Sequence, residues 1–379
     1  LNVYESTIQH RLTTRRQSSA DSSALEIPRT LSSPTAAPSR PRTVFFCGDQ
    51  SPYGRAHLRP IIESFDVVGV VTATPARWAK FREVLSGVPH EPPSGLRAGL
   101  DRLRRARRKR RPGYIDVPAI VRASKAPRLE SFDVNSGQSL DQIRALSPDL
   151  ILSAAYPQIF GAELLGIAPL GAINFHPSLL PRFRGAHPHF WAVATGAATT
   201  GITAHFMTPR IDDGDVIAQI EFPIGDLTYS QVYHRIVQET PTLVREVAEF
   251  CATPVRSGRP QNPAQATFFR NDRDIHRRIF WRMHRAEHIR NLCRTEQAFC
   301  FFQGQKLIPL HTSVEPGNRN LTNGVDVESG TIVDVADGTV VVKANDGCVV
   351  VRKVRLGGKE LSCDRWARRN RLKIGEQLS

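Results

Sequence analysis

Four apolar runs, each followed by an amphipathic or turn-rich stretch, constrain this chain more than anything else in its 379 residues. They are Thr43 to Gly48 (TVFFCG), Asp66 to Thr74 (DVVGVVTAT), Asp149 to Tyr156 (DLILSAAY) and Gly171 to His176 (GAINFH). Runs this short and this continuously apolar fit strands buried on both faces. The segment ending at about Ser64 and the stretch Ser139 to Ser147 read as helices between them, so the pattern is that of a doubly covered α/β sheet, mostly parallel. Ligands in such sheets bind beyond the carboxyl ends of the strands. Gly48 follows the first run without a G-x-G-x-x-G pattern, which predicts a plain strand-to-helix turn.

The fourth run ends in polar groups. Asn174 and His176 are one residue apart, so on a strand they share a face while Phe175 points to the other. Ile202 to Met207 (ITAHFM) reads as a further buried strand, and Ile211-Asp212-Asp213-Gly214-Asp215 as a tight acidic turn able to return a carboxylate to the imidazole. An amide and an imidazole therefore meet one substrate: an amide can donate to a developing oxyanion and an imidazole can move a proton, with a carboxylate holding that imidazole in place.

The string NxHxSxLPxxRG, from Asn174 to Gly185, followed by TGxTxHxM, from Thr200 to Met207, and a D-x-G turn resembles the folate-dependent formyltransferases. The resemblance implies direct transfer of a formyl group from 10-formyltetrahydrofolate to a primary amine, without a covalent enzyme intermediate or a metal. It implies a catalytic set of Asn174, His176 and Asp212; Asp213 and Asp215 compete for the last role, and the seven-residue spacing from His205 favours Asp212. Ala155 to Phe160 (AYPQIF) resembles the folate-contacting segment, which implies donor contacts from Gln158, Ile159, Phe160, Thr208 and Asp212. The run Arg184 to Trp191 would shape an acceptor pocket through Arg184, His187, His189 and Trp191.

The rest of the chain divides by composition. Residues 1–42 are rich in Ser, Arg, Ala and Pro, and too poor in large apolar groups to offset ordering entropy, so a disordered leader is expected. Acidic residues interrupt any organellar-targeting pattern in it. Residues 43–258 form the expected Rossmann-like formyltransferase domain, with a basic insertion at about 78–114. Within that insertion, Arg102 to Arg111 carry eight cations in ten positions. With a formal net charge of +15, a polyanion such as tRNA is a reasonable partner, although the basic-loop pattern D-R-P-x-G-R-G of the methionyl-tRNA enzymes is missing.

Residues 259–379 are expected to hold a helix over about Ile275 to Arg294 and then a small OB-like β-barrel, from the Gly-punctuated strands FCFFQGQKLIPL, GTIVDV, GTVVVKA and CVVVRKVRL. Six scattered cysteines without CxxC pairs fit reduced thiols in a cytoplasmic protein, and no apolar run reaches a membrane-spanning length. Two acceptors compete: methionyl-tRNA, and a small biosynthetic amine such as an amino-sugar nucleotide or an amino acid. Other readings are a formyl hydrolase, with water in place of the amine, and a non-catalytic nucleic-acid-binding protein on the same scaffold.

Overall fold

The computed structural model describes residues 40–86, 115–254, 256–315 and 327–379. The leader up to residue 39, the basic insertion from residue 87 and the Arg102–Arg111 block lie outside these. The four apolar runs become β1 (Arg42–Cys47), β2 (Asp66–Ala73), β4 (Leu150–Ala154) and β5 (Ala172–His176), with the short β3 (Arg128–Ser131) between β2 and β4. Two antiparallel strands, β7 (Thr199–Phe206) and β8 (Val216–Pro223), extend the sheet to seven in the order β3-β2-β1-β4-β5-β7-β8. Chain direction across the sheet explains the mostly parallel pairing: β1, β2, β3, β4 and β5 are joined by crossovers, whereas β7 and β8 form a hairpin.

Local chemistry sets the helix ends. Ser51 caps the helix Pro52–Ser64 by accepting from the Gly54 amide, with proline at the first position, where its missing N–H costs nothing. A capping box between Thr228 and Gln231 starts the long helix Tyr229–Ala252. The two helices pack on one face of the sheet over Phe45, Leu152, Ile173, Phe175 and Ile202, all buried. The opposite face is closed by Leu140, Ile143, Phe160 and Leu164 against Val44, Phe46 and Ile151. Gly48 sits at the turn after β1, where a Cβ would lie 2.1 Å from the Ala155 carbonyl oxygen. Backbone contact between neighbouring strand ends is what glycine permits there.

The C-terminal part is antiparallel. β10 (Cys300–Phe302), β11 (Gln305–Glu315), β14 (Cys348–Leu356), β13 (Thr339–Lys343) and β12 (Ile332–Ala336) lie side by side, and β15 (Lys359–Ser362) also pairs with β14. The chain's last residues join the two outer strands. Ser379 exchanges backbone hydrogen bonds with Phe301, while Ile332 donates to Glu376 and Leu378 donates to Gly330. A sheet whose edges are tied by the tail leaves few open strand groups. Its core of Val340, Val342, Val349, Val351, Val354 and Trp366 also takes in Phe190 and Ala194 from the helix Pro188–Ala194.

The expected helix over Ile275 to Arg294 is two helices, Asp274–Arg277 and Ala286–Arg294. Between them the backbone is extended at Arg278–Ile279, where it pairs with Phe299. Tertiary strand pairing overrides the helical pattern at that point. All six cysteines are free, and among the described residues no helix is long and apolar enough to cross a membrane.

Candidate functional site

Strand pairing brings the first polar groups together. Asn174 on β5 faces His205 on β7 across an antiparallel pair, and the Asn174 Nδ2 lies 3.3 Å from His205 Nε2. The His205 Nδ1 is 2.8 Å from the Phe206 carbonyl. A carbonyl only accepts, so Nδ1 carries the proton and Nε2 of the neutral ring takes one Nδ2–H of Asn174. The second Nδ2–H of that amide remains available as a donor.

The same logic fixes His176. Its Nε2 lies 2.9 Å from the Phe183 carbonyl and therefore donates, which leaves Nδ1 as the lone pair of the neutral ring. That Nδ1 faces Asp212 Oδ2 at 3.5 Å. Burial pushes the His176 pKa below its ordinary value, against the opposing pull of Asp212 and the Phe183 carbonyl. Asp212 shows the opposite balance. Burial alone would raise its pKa, but His176, His205 and the Gly185 N–H outweigh this and hold the carboxyl well below the usual range. The site thus places an Asp212 carboxylate that is held ionised 3.5 Å from the Nδ1 of His176.

Asp212 reaches this place through a turn that needs support. Its backbone is left-handed, φ 52°, a conformation that Asp tolerates better than most residues. The Gly185 amide donates to Oδ2 at 2.8 Å, and Gly214 approaches the Phe206 carbonyl so closely that a Cβ would lie 2.0 Å from it. Gln261 completes the clamp: its Nε2 donates to the Asp212 carbonyl at 2.9 Å and the Gly214 carbonyl at 2.7 Å. Its Oε1 accepts from Arg184 Nε and Nη2. Thr267 plays a parallel part on the other side, its Oγ1 accepting from the amide of Phe183, the residue whose carbonyl orients His176. Sequence reasoning missed Gln261 and Thr267. Neither carries a motif, since each acts on backbone groups far away in the chain.

The remaining expected residues scatter. Gln158 ties the loop after β4 to the loop after β3, accepting from the Val134 amide and donating to Asp133. Ile159 is 63% exposed, and its carbonyl accepts from Asn135. Phe160 is buried, 4.6 Å from Phe46 between ring centroids. Thr208 is exposed and bonds to Arg210 across its own turn. Of the Gln158–Phe160 segment, then, Ile159 presents its side chain to solvent, Gln158 shapes the loop and Phe160 packs the core beneath it. Ile211, beside Asp212, is a second exposed apolar residue.

Arg184 pairs with Asp213 at 2.5 Å besides its bonds to Gln261, so the Asp213 carboxylate is committed away from His176. The Asp215 backbone carbonyl accepts from the Phe206 amide. His189 is buried, its Nε2 3.0 Å from the Tyr229 hydroxyl, and burial pushes its pKa down to about 3. Trp191 stacks on Phe269 and donates to the Arg270 carbonyl. His187 lies half-exposed and paired with Asp272.

The amino-acid sequence matches the formyl transferase family over residues 106–247 and the formyl transferase C-terminal domain over residues 274–371. A methionyl-tRNA formyltransferase from Bacillus cereus (strain AH187) is 30% identical over 270 residues, 69% of this chain and 84% of the relative. One from Bacillus thuringiensis subsp. konkukian is 28% identical over 328 residues, 85% of this chain and 94% of the relative. Among solved structures, an N-formyltransferase from Helicobacter canadensis in complex with folinic acid and dTDP-3-aminofucose shares the fold, with a TM-score of 0.53 at 13% identity over 82% of this chain and 98% of that one. By both of its matched segments and by these relatives, the chain belongs to the formyltransferase family.

Proposed function

We propose that the protein is a cytoplasmic enzyme that transfers the formyl group of 10-formyltetrahydrofolate to the amino group of methionyl-tRNA. The observation that carries this reading is that similarity to methionyl-tRNA formyltransferases runs through nearly their whole length, 94% of one relative, rather than through the catalytic part alone. Residues 43–258 would carry the chemistry and 259–379 the barrel, with the Arg102–Arg111 block and the barrel available to a polyanion. The exposed Ile159 and Ile211 suit a flat apolar ring system. A folate donor fits those features, with Gln158 and Phe160 fixing the loop that carries Ile159 and Thr208 and Asp212 in the turn that carries Ile211.

In this reading the free Nδ2–H of Asn174 donates to the oxygen of the formyl group as charge develops there. His176 takes a proton from the attacking nitrogen at Nδ1 and returns it to the departing nitrogen of the donor. Asp212 stabilises the imidazolium during that interval. No side chain becomes acylated.

The test is formyl transfer to purified methionyl-tRNA at low and moderate salt, with the His176→Ala protein as the blank. Transfer that depends on His176 and falls with salt supports the reading. A folate-binding protein that leaves methionyl-tRNA untouched directs the search to the second reading, an amino-sugar nucleotide or amino acid. That reading is favoured by His187 and Trp191, since a half-exposed imidazole and an indole follow closely on the loop that holds Asp212.

A further inference from the structure

The carboxylate of Asp272 is 1% exposed, yet both of its oxygens are engaged: Oδ1 by His187 Nδ1, and Oδ2 by the guanidinium of Arg277, whose Nε lies 2.6 Å away. A carboxylate only accepts, so the bond fixes the proton of His187 on Nδ1 and leaves Nε2 as the basic nitrogen of the neutral ring. Among the described residues nothing bonds that Nε2, and the His187 side chain is 42% exposed. The ring is carried by a left-handed residue, φ 50°, which is costly outside glycine and is retained where surroundings over-determine it.

Its place is set by the loop. Gly185, two residues earlier, donates to Asp212, and the pairing of Arg184–Gly185 with Phe268–Phe269 brings Asp272 alongside. His187 is the N-cap of the helix Pro188–Ala194, so the loop that meets Asp212 at Gly185 runs directly into it.

Proton accounting gives this pair a task. A primary amine arrives at neutral pH as an ammonium ion, and its nitrogen loses two protons on becoming an N-formyl amide. The leaving nitrogen of the donor regains one, through His176. The other must go to solvent, and the buried His176 is already engaged in returning a proton to the donor.

We propose that His187, oriented by Asp272, is a second catalytic base that takes the first proton from the acceptor's ammonium group. Nε2 of His187 accepts that proton, and the N–H bond electrons remain on the nitrogen as the lone pair. That pair forms the bond to the formyl carbon while the carbonyl pair moves to oxygen. The second proton passes to His176, the bond from carbon to the donor nitrogen breaks with its electrons on that nitrogen, and His176 returns its proton there. His187 then releases its proton to water. The charged or titratable groups coupled to His187 are Asp272 from the linker and His189 on its own helix; Arg277 and His276 of the following helix face Asp272, with Arg273 at that helix's N-cap. The inference rests on the formyl-transfer reading.

The experiment is kcat/KM from pH 6 to 9.5 for the full chain and its His187→Gln and Asp272→Asn variants, with methionyl-tRNA or, failing that, an amino-sugar nucleotide as acceptor. At pH 7 the His187→Gln protein should be about 10- to 100-fold slower. The deficit should close as the pH passes about 8, the range in which an α-amino group is already neutral. Asp272→Asn should show a smaller deficit of the same shape. A deficit equal at all pH values, or none, overturns the proposal and assigns the pair a structural role.

Wild-type protein inactive on every acceptor defeats the functional reading. The pair then faces a separate test: diethyl pyrocarbonate on the unliganded protein, mapped by mass spectrometry. Carbethoxylation of His187 ahead of the buried His176 and His189 supports an open basic Nε2; an unmodified His187 overturns it.

Discussion

His176–Asp212 and His187–Asp272 are made of the same two side chains, and the histidines stand eleven residues apart on one strand and loop. Their surroundings differ. In the first pair the histidine is buried, donates through Nε2 to a backbone carbonyl and turns its other nitrogen to the carboxylate. In the second the carboxylate is buried, shared with an arginine, and the imidazole is half-exposed. On the proposed mechanism the first arrangement keeps a proton within the site and the second passes one out of it, according to which member of the pair is withdrawn from water.

The sharpest way to break the comparison is to remove the inner imidazole. His176→Ala should lower turnover by about 10² to 10⁴-fold, the range for losing a positioned acid–base group, with folding retained by circular dichroism. An equal loss from His187→Ala at every pH would erase the distinction between the pairs. Next in size is Asp212→Asn, for which a loss of about 10- to 100-fold in kcat is expected, together with a displaced pH profile. The sign follows from the charges. Asp212 raises the His176 pKa against the larger effect of burial, so removing its charge lowers that pKa further. The acid limb of the rate profile, where His176 becomes protonated and stops acting as a base, should therefore move to lower pH. An unmoved limb would assign the acid limb to another group.

A third measurement concerns what supports the inner pair and has no counterpart in the outer one. Gln261→Ala strips partners from two carbonyls in the Asp212 turn and from one guanidinium. Each buried polar group left unsatisfied costs about 1–3 kcal/mol, and the carboxylate loses its fixed approach. A several-fold fall in kcat with a lowered Tm is expected, and Gln261→Glu should restore part of the Arg184 contact but not the two donated bonds. Normal kcat in Gln261→Ala would show that Gly185 alone holds Asp212.

The inner pair was legible in the sequence and the outer one only by half. Asn174 and His176 share a face because a period-two strand puts both there; the acidic glycine turn after the next strand offered three carboxylates, and only the spacing carried by the family resemblance favoured Asp212, the one that meets His176. His187 was visible as a histidine in the acceptor run, but its partner Asp272 lies 85 residues on, in a linker with no periodicity. Gln261 and Thr267 were invisible for the same reason: they bond to backbone, which every residue carries, so no side-chain pattern marks them. Most strands of both sheets followed from apolar runs; β3, β8 and β15 did not, because they mix exposed polar residues with their few buried ones. The two-helix form of residues 274–294 did not, because Arg278–Ile279 are drawn into pairing with Phe299, a contact that local propensity does not encode. Phe160 was expected to face a ligand and instead packs against Phe46, since loop residues next to a strand can turn inward without altering any repeat.

The smallest expected effect separates the two pairs from the buried histidines behind them. His57 and His189 are sealed in the core, and burial lowers their pKa values to about 4 and about 3. A histidine whose folded pKa lies below the unfolded 6.5 binds its proton more readily in the unfolded chain. Stability is therefore complete above pH 6.5 and declines as the pH falls from there toward the folded value, by as much as about 1.4 kcal/mol per pH unit for each group. Asp212 and Asp272, held ionised below the usual carboxylate range, act in the same direction but only as the pH drops through about 4. Chemical denaturation at pH 7, 6, 5 and 4 should thus show a decline that starts near 6.5 and becomes shallower in the His57→Gln and His189→Gln proteins. A stability that stays level to pH 5 would mean that these rings gain protons without unfolding, through water reaching a core that the structure shows sealed by Tyr53, Phe175 and Tyr229.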